Sequence, residues 1–549
     1  MNINNYKEHF QNFTKNQIFL FERKSKQTDE IAEKALKNLI IPFPNFEAAD
    51  FTNGFDWEIR NEKYGKSYQL YIQSLRVVND LLIVFEKSGD LAYLKKSKEI
   101  IDSWIEYKET NPQNDMIWYD HPAANRAQLI VQFLYYASRN LDINYESYIE
   151  TLNDHLTVLS DDSIYNFNNH GLMMDKTLFV LGVTLNRKDV FEHGLGRATE
   201  TFWYNFSSNA IHLENSPDYH SMVVGMYFEI QKFIMNFGYS FSDNILSYLE
   251  KSKEYFNILV KPDGFLPQIG DSGNTSFSLQ NKVYQNLNDF ESGMNIIQRD
   301  ANKPIYLTFI TGYSSRVHKH FDDLSITLNY DKEDIFVDAG KFNYSSSPLR
   351  RYVRSAKAHS APIFPEIKYT RSKENRFTRE VRTTGYYHFK DYSIVTGVNE
   401  SFEGSASIER TVIMLNNYDL IILVDKSKSI NNSEIIQNFN LDEKVKIKIE
   451  DENNIVLNKN DVKISIEQFA DSEMKVIDGS KEKNIAKNTI GFGKVSDTHQ
   501  IQYKSQTNTR EGINFLTFIN MNNHLVKDVS YDKSRLEFKI DNKILNISL

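Results

Sequence analysis

The 549-residue chain contains no cysteine. This absence excludes disulfide bonds, thiolate metal ligands and cysteine nucleophiles, so any metal site must use histidines and carboxylates. The sequence also lacks an apolar run approaching the roughly 20 residues of a transmembrane helix, and its start lacks the basic segment and apolar core of a signal peptide. We therefore expect a cytoplasmic protein with no membrane partner; a secreted or periplasmic one is the alternative if a leader has been removed.

An excess of positive charge is also missing. The chain has 64 Lys and Arg against 73 Asp and Glu, a formal net charge of -9. Nucleic-acid-binding domains are usually strongly basic, so no nucleic-acid partner is expected. If the substrate is an anion, positive charge must be concentrated locally. The 31 tyrosines and 37 phenylalanines suit stacking on sugar rings, but they equally suit a large core.

The first half of the chain has a helical period. Apolar residues recur at helical spacing in segments 67–85, 123–139 and 222–237, and short polar breaks such as 88–90 separate the segments. Repeated helical hairpins with short connections favour a layered or circular α/α array. No strict sequence repeat accompanies them, so a toroid is an inference about packing.

The second half has a period of two. Short alternating runs at 305–310, 324–330, 407–414, 420–424, 445–449 and 513–519 are separated by turn residues. Many strands without intervening helices predict an antiparallel β-sandwich. The expected fold is multidomain α+β, an N-terminal, incomplete α/α toroid over 1–298 followed by the sandwich over 299–549. A cleft between such domains is a natural ligand site.

Two histidines one residue apart, His318 and His320, begin a strand-like stretch of the second half. In a strand they would share a face, with Asp322 beside them. Two imidazoles and a carboxylate are typical zinc ligands. The alternative is that these are separate polar residues, each solvated or satisfied in the core.

Three loops of the first half carry residues suited to chemistry. Asn169, His170 and Gly171 precede an apolar helix, where an amide and an imidazole could bind a carboxylate at the helix N-terminus or simply cap it. Segment 214–220 also precedes a helix, with Ser216 and Pro217 as its cap in the simpler interpretation. Segment 262–273 is punctuated by glycine and proline, and taken alone it is a structural turn.

In order along the chain, these pieces resemble the heparinase II/III-like polysaccharide lyases. The resemblance rests on Asn169-His170-Gly171, Ser216-Pro-Asp-Tyr219-His220, Gly270-Asp271-Ser272, His318-x-His320-x-Asp322, Phe336-Val-Asp338-Ala-Gly340 and Ala358-His359-Ser360. It implies an α/α toroid followed by a β-sandwich, and an enzyme that cleaves uronic-acid-containing chains such as glycosaminoglycans, alginate or bacterial exopolysaccharides by β-elimination.

The resemblance also implies catalytic roles. Asn169 and His170 would neutralise the uronate carboxylate, which stabilises the charge that develops when the C5 proton leaves. Tyr219 and His318 would supply the general base and the general acid. A tyrosine with an ordinary pKa of about 10 needs positive charge nearby to act as a base near neutral pH.

A structural zinc ion is implied as well, with His320, Asp338 and His359 as its ligands. Asp322 is the rival third ligand because it would share a strand face with the histidines. We prefer Asp338 because its local sequence matches the family.

Further side chains are candidate substrate contacts. Arg350, Arg351 and Arg354 could bind carboxylates or sulfates bidentately, or be ordinary surface charge. The other candidates are Trp118, Asn125, Arg126, Glu214 and Tyr344. The expected partner is an anionic polysaccharide or oligosaccharide, no organic cofactor is expected, and a homodimer is retained beside a monomer.

Two other functions remain open from the sequence. An α/α-type glycoside hydrolase would use paired carboxylates such as Glu214 or Asp218 with Asp271. A binding protein without catalysis could use the same scaffold.

Overall fold

The computed structural model describes residues 5–20, 22–110, 112–278, 282–344, 346–507, 512–532 and 534–549. The helices are α1 Tyr6–Gln11, α2 Lys15–Ile18, α3 Thr28–Leu36, α4 Lys66–Gln73, α5 Arg76–Ser88, α6 Leu91–Glu109, α7 Asp120–Asn140, α8 Glu146–Leu159, α9 Asn169–Thr184, α10 Lys188–Asn205, α11 Pro217–Met235, α12 Asp243–Leu259, α13 Pro348–Arg354 and α14 Asn375–Thr378.

The strands begin with two short ones in the helical half and then dominate the second half of the chain. They are β1 Leu39–Ile40, β2 Ala49–Asp50, β3 Leu287–Asp289, β4 Met294–Arg299, β5 Ile305–Ile310, β6 Ile326–Tyr330, β7 Glu333–Phe336, β8 Pro362–Ile363, β9 Val381–His388, β10 Tyr392–Asn399, β11 Ala406–Leu415, β12 Leu420–Ser429, β13 Glu434–Asn440, β14 Lys446–Ile449, β15 Asn454–Lys459, β16 Val462–Gln468, β17 Glu473–Asp478, β18 Lys487–Gly491, β19 Lys494–Asp497, β20 His499–Gln506, β21 Phe515–Asn520, β22 Val526–Tyr531, β23 Arg535–Ile540 and β24 Lys543–Ser548.

The chain divides into two compact units. The helical unit combines the residues up to Asn205 with Gly225–Ser247, and the sheet unit combines Phe206–Val224 with the residues from Tyr248 onward. The domain boundary between residues 298 and 299 stays a prediction. Within the described part of the chain, no helix combines the length and the apolarity needed to cross a membrane.

Local backbone geometry sets the helix boundaries in the helical unit. Segment 67–85, predicted as one helical stretch, is two helices because Leu75 adopts a left-handed conformation with φ 54° between α4 and α5. The break at 88–90 is as predicted: Gly89 ends α5 with φ 72°, and the Asp90 side chain caps α6 by accepting from the amide of Ala92. A glycine at the end and an aspartate at the start are the residues that such ends favour.

Three antiparallel sheets surround the main core of the sheet unit. The largest has the order β14-β15-β16-β21-β12-β11-β10-β9, the second β3-β4-β5-β6-β7 and the third β17-β20-β13-β8. Their inward residues, such as Leu307, Leu423 and Phe439, belong to one buried cluster. This is the predicted sandwich.

Strand β5 is buried on both faces. Leu307 and Phe309 point into the sandwich core, whereas Tyr306 and Ile310 join a second cluster with Leu259 near the end of α12. The run at 305–310 is therefore almost continuously apolar and not alternating as predicted, because both faces of the strand are covered. Its neighbour β6 is likewise buried along its whole length.

A buried ion pair fixes the segments that lead into the site. Arg410 on β11 binds Asp425 on β12 through two hydrogen bonds of 2.7 Å. Its remaining nitrogen, Nη1, donates to the carbonyl oxygens of Leu324 at 3.0 Å and Ser360 at 2.9 Å. Because the loss of one partner would leave a buried charge uncompensated, such a change typically costs about 3–5 kcal/mol.

Candidate active site and metal-binding triad

Tyr219 lies in the first turn of α11. Pro217 occupies the first helical position, and the hydroxyl of Ser216 accepts from the amide of Tyr219 at 3.4 Å. The predicted cap is therefore present. The same serine hydroxyl meets Ser272 Oγ at 2.7 Å, which joins this turn to the loop that carries Asp271.

Gly270 allows the loops of the site to approach closely. Its φ is +57°, and a Cβ atom there would lie 2.5 Å from the carbonyl oxygen of Asn215 and 2.7 Å from that of His318. Only glycine fits such a position. The amide of Asp271 donates to the same His318 oxygen at 3.1 Å, so the two loops are held backbone to backbone.

His318 lies in a turn, so the prediction of a strand from His318 to Asp322 is wrong. Its φ is +55°, and strand β6 begins only at Ile326. The physical reason is tertiary: the side chain of Asn215 donates to the carbonyl oxygens of Ser315 at 2.7 Å and Val317 at 2.8 Å, which holds this segment as a loop.

The imidazole of His318 is enclosed by an aromatic ring and two carboxylates. The Tyr219 ring stacks on it with centroids 3.5 Å apart and planes 18° from parallel. Its Nδ1 lies 3.2 Å from Asp271 Oδ2, and its Nε2 lies 3.5 Å from Glu214 Oε2. A carboxylate on one ring nitrogen fixes the orientation of an imidazole that acts in proton transfer.

The hydroxyl of Tyr219 has a second tyrosine as neighbour. Tyr344 Oη lies 2.7 Å from Tyr219 Oη, and the ammonium group of Lys341 lies 5.5 Å from the Tyr219 ring centre and 5.0 Å from that of Tyr344. Partial burial raises the pKa of Tyr344, and the neighbouring Tyr219 adds to this effect, so Tyr344 keeps its proton. Either hydroxyl can be the donor while both tyrosines are protonated, and Tyr344 is the donor when Tyr219 is ionised. The cation and the donor both favour negative charge on Tyr219 Oη.

Asp271 is an ionised carboxylate. Burial by itself raises the pKa of Asp271, but hydrogen bonds from His318 and His320 and the charge of Arg350 hold it well below its usual range. Arg350 Nη2 lies 2.7 Å from Asp271 Oδ1. A carboxylate with three cationic or donor partners keeps no proton to give to a leaving group.

Glu214 is buried behind His318 instead of lining an open surface. Its Oε1 lies 3.7 Å from Nε2 of His212, and burial holds the pKa of His212 well below its usual range, so this imidazole is neutral. Direct contact of Glu214 with substrate stays a prediction.

His320, Asp338 and His359 come together as a buried triad. One candidate ligand atom from each lies within 4.8 Å of the others, and His359 Nδ1 lies 2.8 Å from Asp338 Oδ2. Within the described part of the chain, the buried atoms Nδ1 of His320 and Nε2 of His359 have no hydrogen-bond partner. Two unpaired imidazole nitrogens beside a carboxylate fit the donor set of a zinc site with three protein ligands.

The rival ligand Asp322 is not part of this triad. It is fully buried and forms an ion pair with the ammonium group of Lys319, which also lies 3.1 Å from Asp323. A carboxylate already neutralised by a buried lysine has little charge to offer a metal ion. The choice of Asp338 over Asp322 therefore agrees with the structure.

Replacing His359 by alanine is expected to lower metal content and stability. The change removes one candidate ligand and leaves the buried Asp338 without its 2.8 Å partner, which costs about 1–3 kcal/mol even without metal. Metal analysis and the midpoint of denaturant unfolding measure the two effects. His499→Ala, at a more exposed histidine of the same unit, is the control. Unchanged metal content in His359→Ala would exclude the triad as the metal site.

Two protein-family models together match the segments that carry the residues of this site. The model of the Heparinase II/III N-terminus matches residues 2–296, and that of the Heparinase II/III-like C-terminal region matches residues 287–514. The chain belongs to the heparinase II/III family. It is a polysaccharide lyase, a carbon–oxygen lyase. No curated protein matches the sequence.

Solved structures of polysaccharide lyases have the same fold. A crystal structure of heparinase III is 16% identical with a TM-score of 0.81 and covers 99% of this chain and 94% of that one. A mutant of heparan sulfate lyase HepC from Pedobacter heparinus is 15% identical with a TM-score of 0.70, covering 99% and 93%. The chondroitin AC lyase of Streptomyces coelicolor A3 is 8% identical with a TM-score of 0.59, covering 97% and 86%. The predicted toroid-and-sandwich fold class is thereby confirmed.

Asn169 and His170 lie in the helical unit of this heparinase-family chain. They occupy the first turn of α9, which Asn168 caps by accepting from the amides of His170 and Gly171. The imidazole of His170 is about a third exposed, with Nδ1 3.0 Å from Asp120 Oδ1. The cap leaves the imidazole at the positive end of the helix, where an anion is favoured.

The predicted contacts on α7 lie largely inside the helical unit. Arg126 is fully buried, stacks on Trp104 at 3.8 Å, and donates to His155 and to two backbone carbonyls. Asn125 is also buried and donates to the carbonyl of His121 at 2.7 Å. Trp118, whose ring centre lies 5.6 Å from the Arg126 guanidinium, is partly exposed. Contact of Arg126, Asn125 and Trp118 with substrate stays a prediction.

A basic pocket of about 650 Å³ lies beside α13 in the sheet unit. Arg350, Arg351, Arg354, Lys357 and Lys368 line it, over a largely apolar floor that includes Phe364 and Pro365. None of the described residues that line it is acidic. The three arginines are clustered in the sequence and could be predicted from it, whereas Lys357 and Lys368 belong to no motif.

Proposed function

We propose that the protein cleaves a uronic-acid-containing polysaccharide or oligosaccharide by β-elimination. The substrate is of glycosaminoglycan, alginate or bacterial exopolysaccharide type. The observation that carries the proposal is the stacking of Tyr219 on His318 at 3.5 Å, with Tyr344 on the phenol oxygen and Asp271 on the imidazole. Two proton-transfer groups in contact, each oriented by a further residue, suit a reaction that removes one proton and delivers another.

In this proposal Tyr219 and His318 divide the roles of general base and general acid. One takes the C5 proton of the uronate, and the other protonates the departing O4, so that a C4–C5 double bond remains. Lys341 and Tyr344 stabilise negative charge on Tyr219, and Asp271 holds His318 in orientation. No water is consumed.

The carboxylate of the uronate also needs a partner, because its charge opposes removal of the C5 proton. Asn169 and His170 are proposed to bind it, on the family resemblance and on their position at the start of α9. His170→Ala would then lower kcat/KM, and Asp120→Asn would have a smaller effect through the orientation of the imidazole.

The triad is proposed to hold zinc in a structural role. His320, Asp338 and His359 would bind it, and its positive charge would hold together the three segments that carry them. The metal is assigned no step of the reaction.

Arg351, Arg354 and the lysines beside them are proposed to bind anionic groups of the polymer. Pockets of about 300–1,000 Å³ hold small molecules, so the basic pocket has room for a sugar with its carboxylate or sulfate. Burial lowers the pKa of Arg354, and the positive charge of Arg350 adds to this effect. An anion bound in the pocket would therefore stabilise the charged form of Arg354. Tyr344, half exposed, is retained as a contact near the reacting sugar.

The double variant Lys357→Gln with Lys368→Gln is expected to raise KM about tenfold and to change kcat little, because it weakens binding equally before and during the reaction. Initial rates at varied polymer concentration measure both. Lys446→Gln with Lys463→Gln removes the same charge from exposed positions on β14 and β16 and serves as the control. Equal KM values for the two double variants would contradict the role of the pocket.

The proposal is tested by incubating the protein with a panel of uronate polymers and following ultraviolet absorbance, since elimination leaves an unsaturated sugar. A lowered pKa of Asp271 suits the base of a hydrolase and not its acid, so this experiment must still distinguish a lyase from a hydrolase with Asp271 as base. Hydrolysis without absorbance would reject the lyase mechanism. Binding without any cleavage would indicate a protein without catalysis.

A further inference from the structure

One carboxylate serves both histidines of the His318-x-His320 pair. Asp271 Oδ2 lies 3.2 Å from Nδ1 of His318, and Asp271 Oδ1 lies 3.1 Å from Nε2 of His320. Arg350 Nη2 lies 2.7 Å from the latter oxygen. His318 and His320 do not share one face of a strand. They are linked because both imidazoles contact the carboxylate of Asp271.

The two histidines use their other nitrogens for different purposes. Nδ1 of His320 is the buried, unpartnered atom that points to the triad, so a metal bound there would leave Nε2–H directed at Asp271. Carboxylates in this position orient the ligand imidazole and increase its basicity toward the metal. The opposite oxygen of Asp271 would then orient His318 in the same way.

The backbone leaves Asp271 little freedom to serve one histidine without the other. The residue is 4% exposed, and its amide donates to the His318 carbonyl at 3.1 Å. Gly270 before it lies so close to the carbonyl oxygens of Asn215 and His318 that a Cβ atom would not fit. A movement of the carboxylate toward one imidazole therefore changes its distance from the other.

We propose that Asp271 is a positioning residue that couples metal binding at His320, Asp338 and His359 to the orientation of the catalytic His318. The inference rests on the proposed function of His318. Metal in the triad fixes His320, His320 fixes Oδ1 of Asp271, and Oδ2 holds His318 beside Tyr219. The metal thereby supports catalysis although it contacts neither the substrate nor the reacting atoms.

Asp271→Asn tests the first link. An amide offers one acceptor oxygen and one donor nitrogen, so it cannot accept from His318 on one side and from His320 and Arg350 on the other. Titration of the metal-free protein with Zn²⁺ alone, in competition with a chelator, is expected to show affinity about 10–100-fold weaker. Asp334→Asn, which breaks the Lys261–Asp334 ion pair elsewhere in the unit, is the control. Wild-type affinity in Asp271→Asn would overturn the proposal.

The second link is tested by the imidazole NMR signal of His318, assigned with His318→Gln. Zinc binding is expected to shift this signal in the wild type and to leave it unmoved in Asp271→Asn. If zinc did not shift the signal in the wild type, or shifted it equally in both proteins, the proposed coupling would be wrong. Neither readout needs turnover, so both remain decisive if no polymer is cleaved and the proposed function fails.

Kinetics provide the third readout. Asp271→Asn is expected to lower kcat about 100-fold with KM changed less than about threefold, since it misorients a group used in the transition state. Adding His359→Ala to Asp271→Asn is expected to cost little more, whereas His359→Ala alone lowers kcat. Independent, multiplicative losses would contradict coupling through Asp271.

If Asp271→Asn fails to fold, Asp271→Glu, which keeps both acceptors at shifted positions, replaces it in the same three measurements.

Discussion

Tyr219→Phe is expected to lower kcat by about 10³-fold or more while the protein stays folded and binds its polymer. The substitution removes one oxygen atom that contacts Tyr344 at 2.7 Å and leaves the ring stacked on His318. A group that transfers a proton in the transition state typically contributes about 10²–10⁴-fold. Initial rates measured by absorbance, together with far-ultraviolet circular dichroism, check the result.

Tyr387→Phe is the matched control, because this tyrosine is 59% exposed on β9 and should tolerate the change. Tyr344→Phe is expected to have an intermediate effect, since it removes the hydrogen bond to Tyr219 but not the reacting group. If Tyr219→Phe kept near-normal kcat, the assignment of this tyrosine to proton transfer would be wrong.

The second large effect is expected at His318. His318→Gln removes the imidazole that stacks on Tyr219 and leaves the buried Asp271 and Glu214 without this neighbour. We expect kcat to fall about 10³-fold, and stability to fall by about 1–3 kcal/mol because two buried carboxylates lose a partner. His499→Gln at a more exposed histidine provides the comparison.

The size of the fall in kcat for His318→Gln distinguishes a role in proton transfer from a role in supporting the loop. If the histidine only supported the loop, Asn215→Ala, which removes the bonds to Ser315 and Val317, would lower kcat as much as His318→Gln does. The proton-transfer role instead predicts a much larger loss for His318→Gln, with a change in the pH profile of kcat. Equal losses in the two variants would favour the structural explanation.

Periodicity predicted most of the architecture. The run at 305–310 is strand β5 from end to end, and the break at 88–90 separates α5 from α6 as expected. These features depend on local patterns and on capping residues, which a sequence displays directly. The left-handed Leu75 within segment 67–85 left no such pattern, so two helices were predicted as one.

The turn at His318 shows what the sequence could not reveal. Alternating residues from His318 to Asp322 fit a strand, but the side chain of Asn215, about a hundred positions earlier, holds the segment as a loop. Only a contact distant in sequence decides between these conformations. The division of roles between His318 and His320 came from the family resemblance, because the strand geometry had placed both in one zinc site.

The sequence does not predict the contacts of Asp271 with His318 and His320, or of Lys341 with Tyr219, for a related reason. It suggests Asp271 only as part of a family motif and as a carboxylate of a hydrolase, and Lys341 belongs to no motif. Their contacts with His318, His320 and Tyr219 arise from loops that meet only in the folded sheet unit. The motif Gly270-Asp271-Ser272 was the available signal for one of them.

The central claim is that bond cleavage occurs by elimination, and the origin of the oxygen atoms in the products tests it most directly. The cleavable polymer is incubated with the protein in water labelled with oxygen-18, and the products are analysed by mass spectrometry. We predict products that carry an unsaturated uronate and no heavy oxygen at the cleaved bond, and no such products from Tyr219→Phe. One heavy oxygen incorporated per cleavage, without an unsaturated sugar, would show hydrolysis and contradict the account.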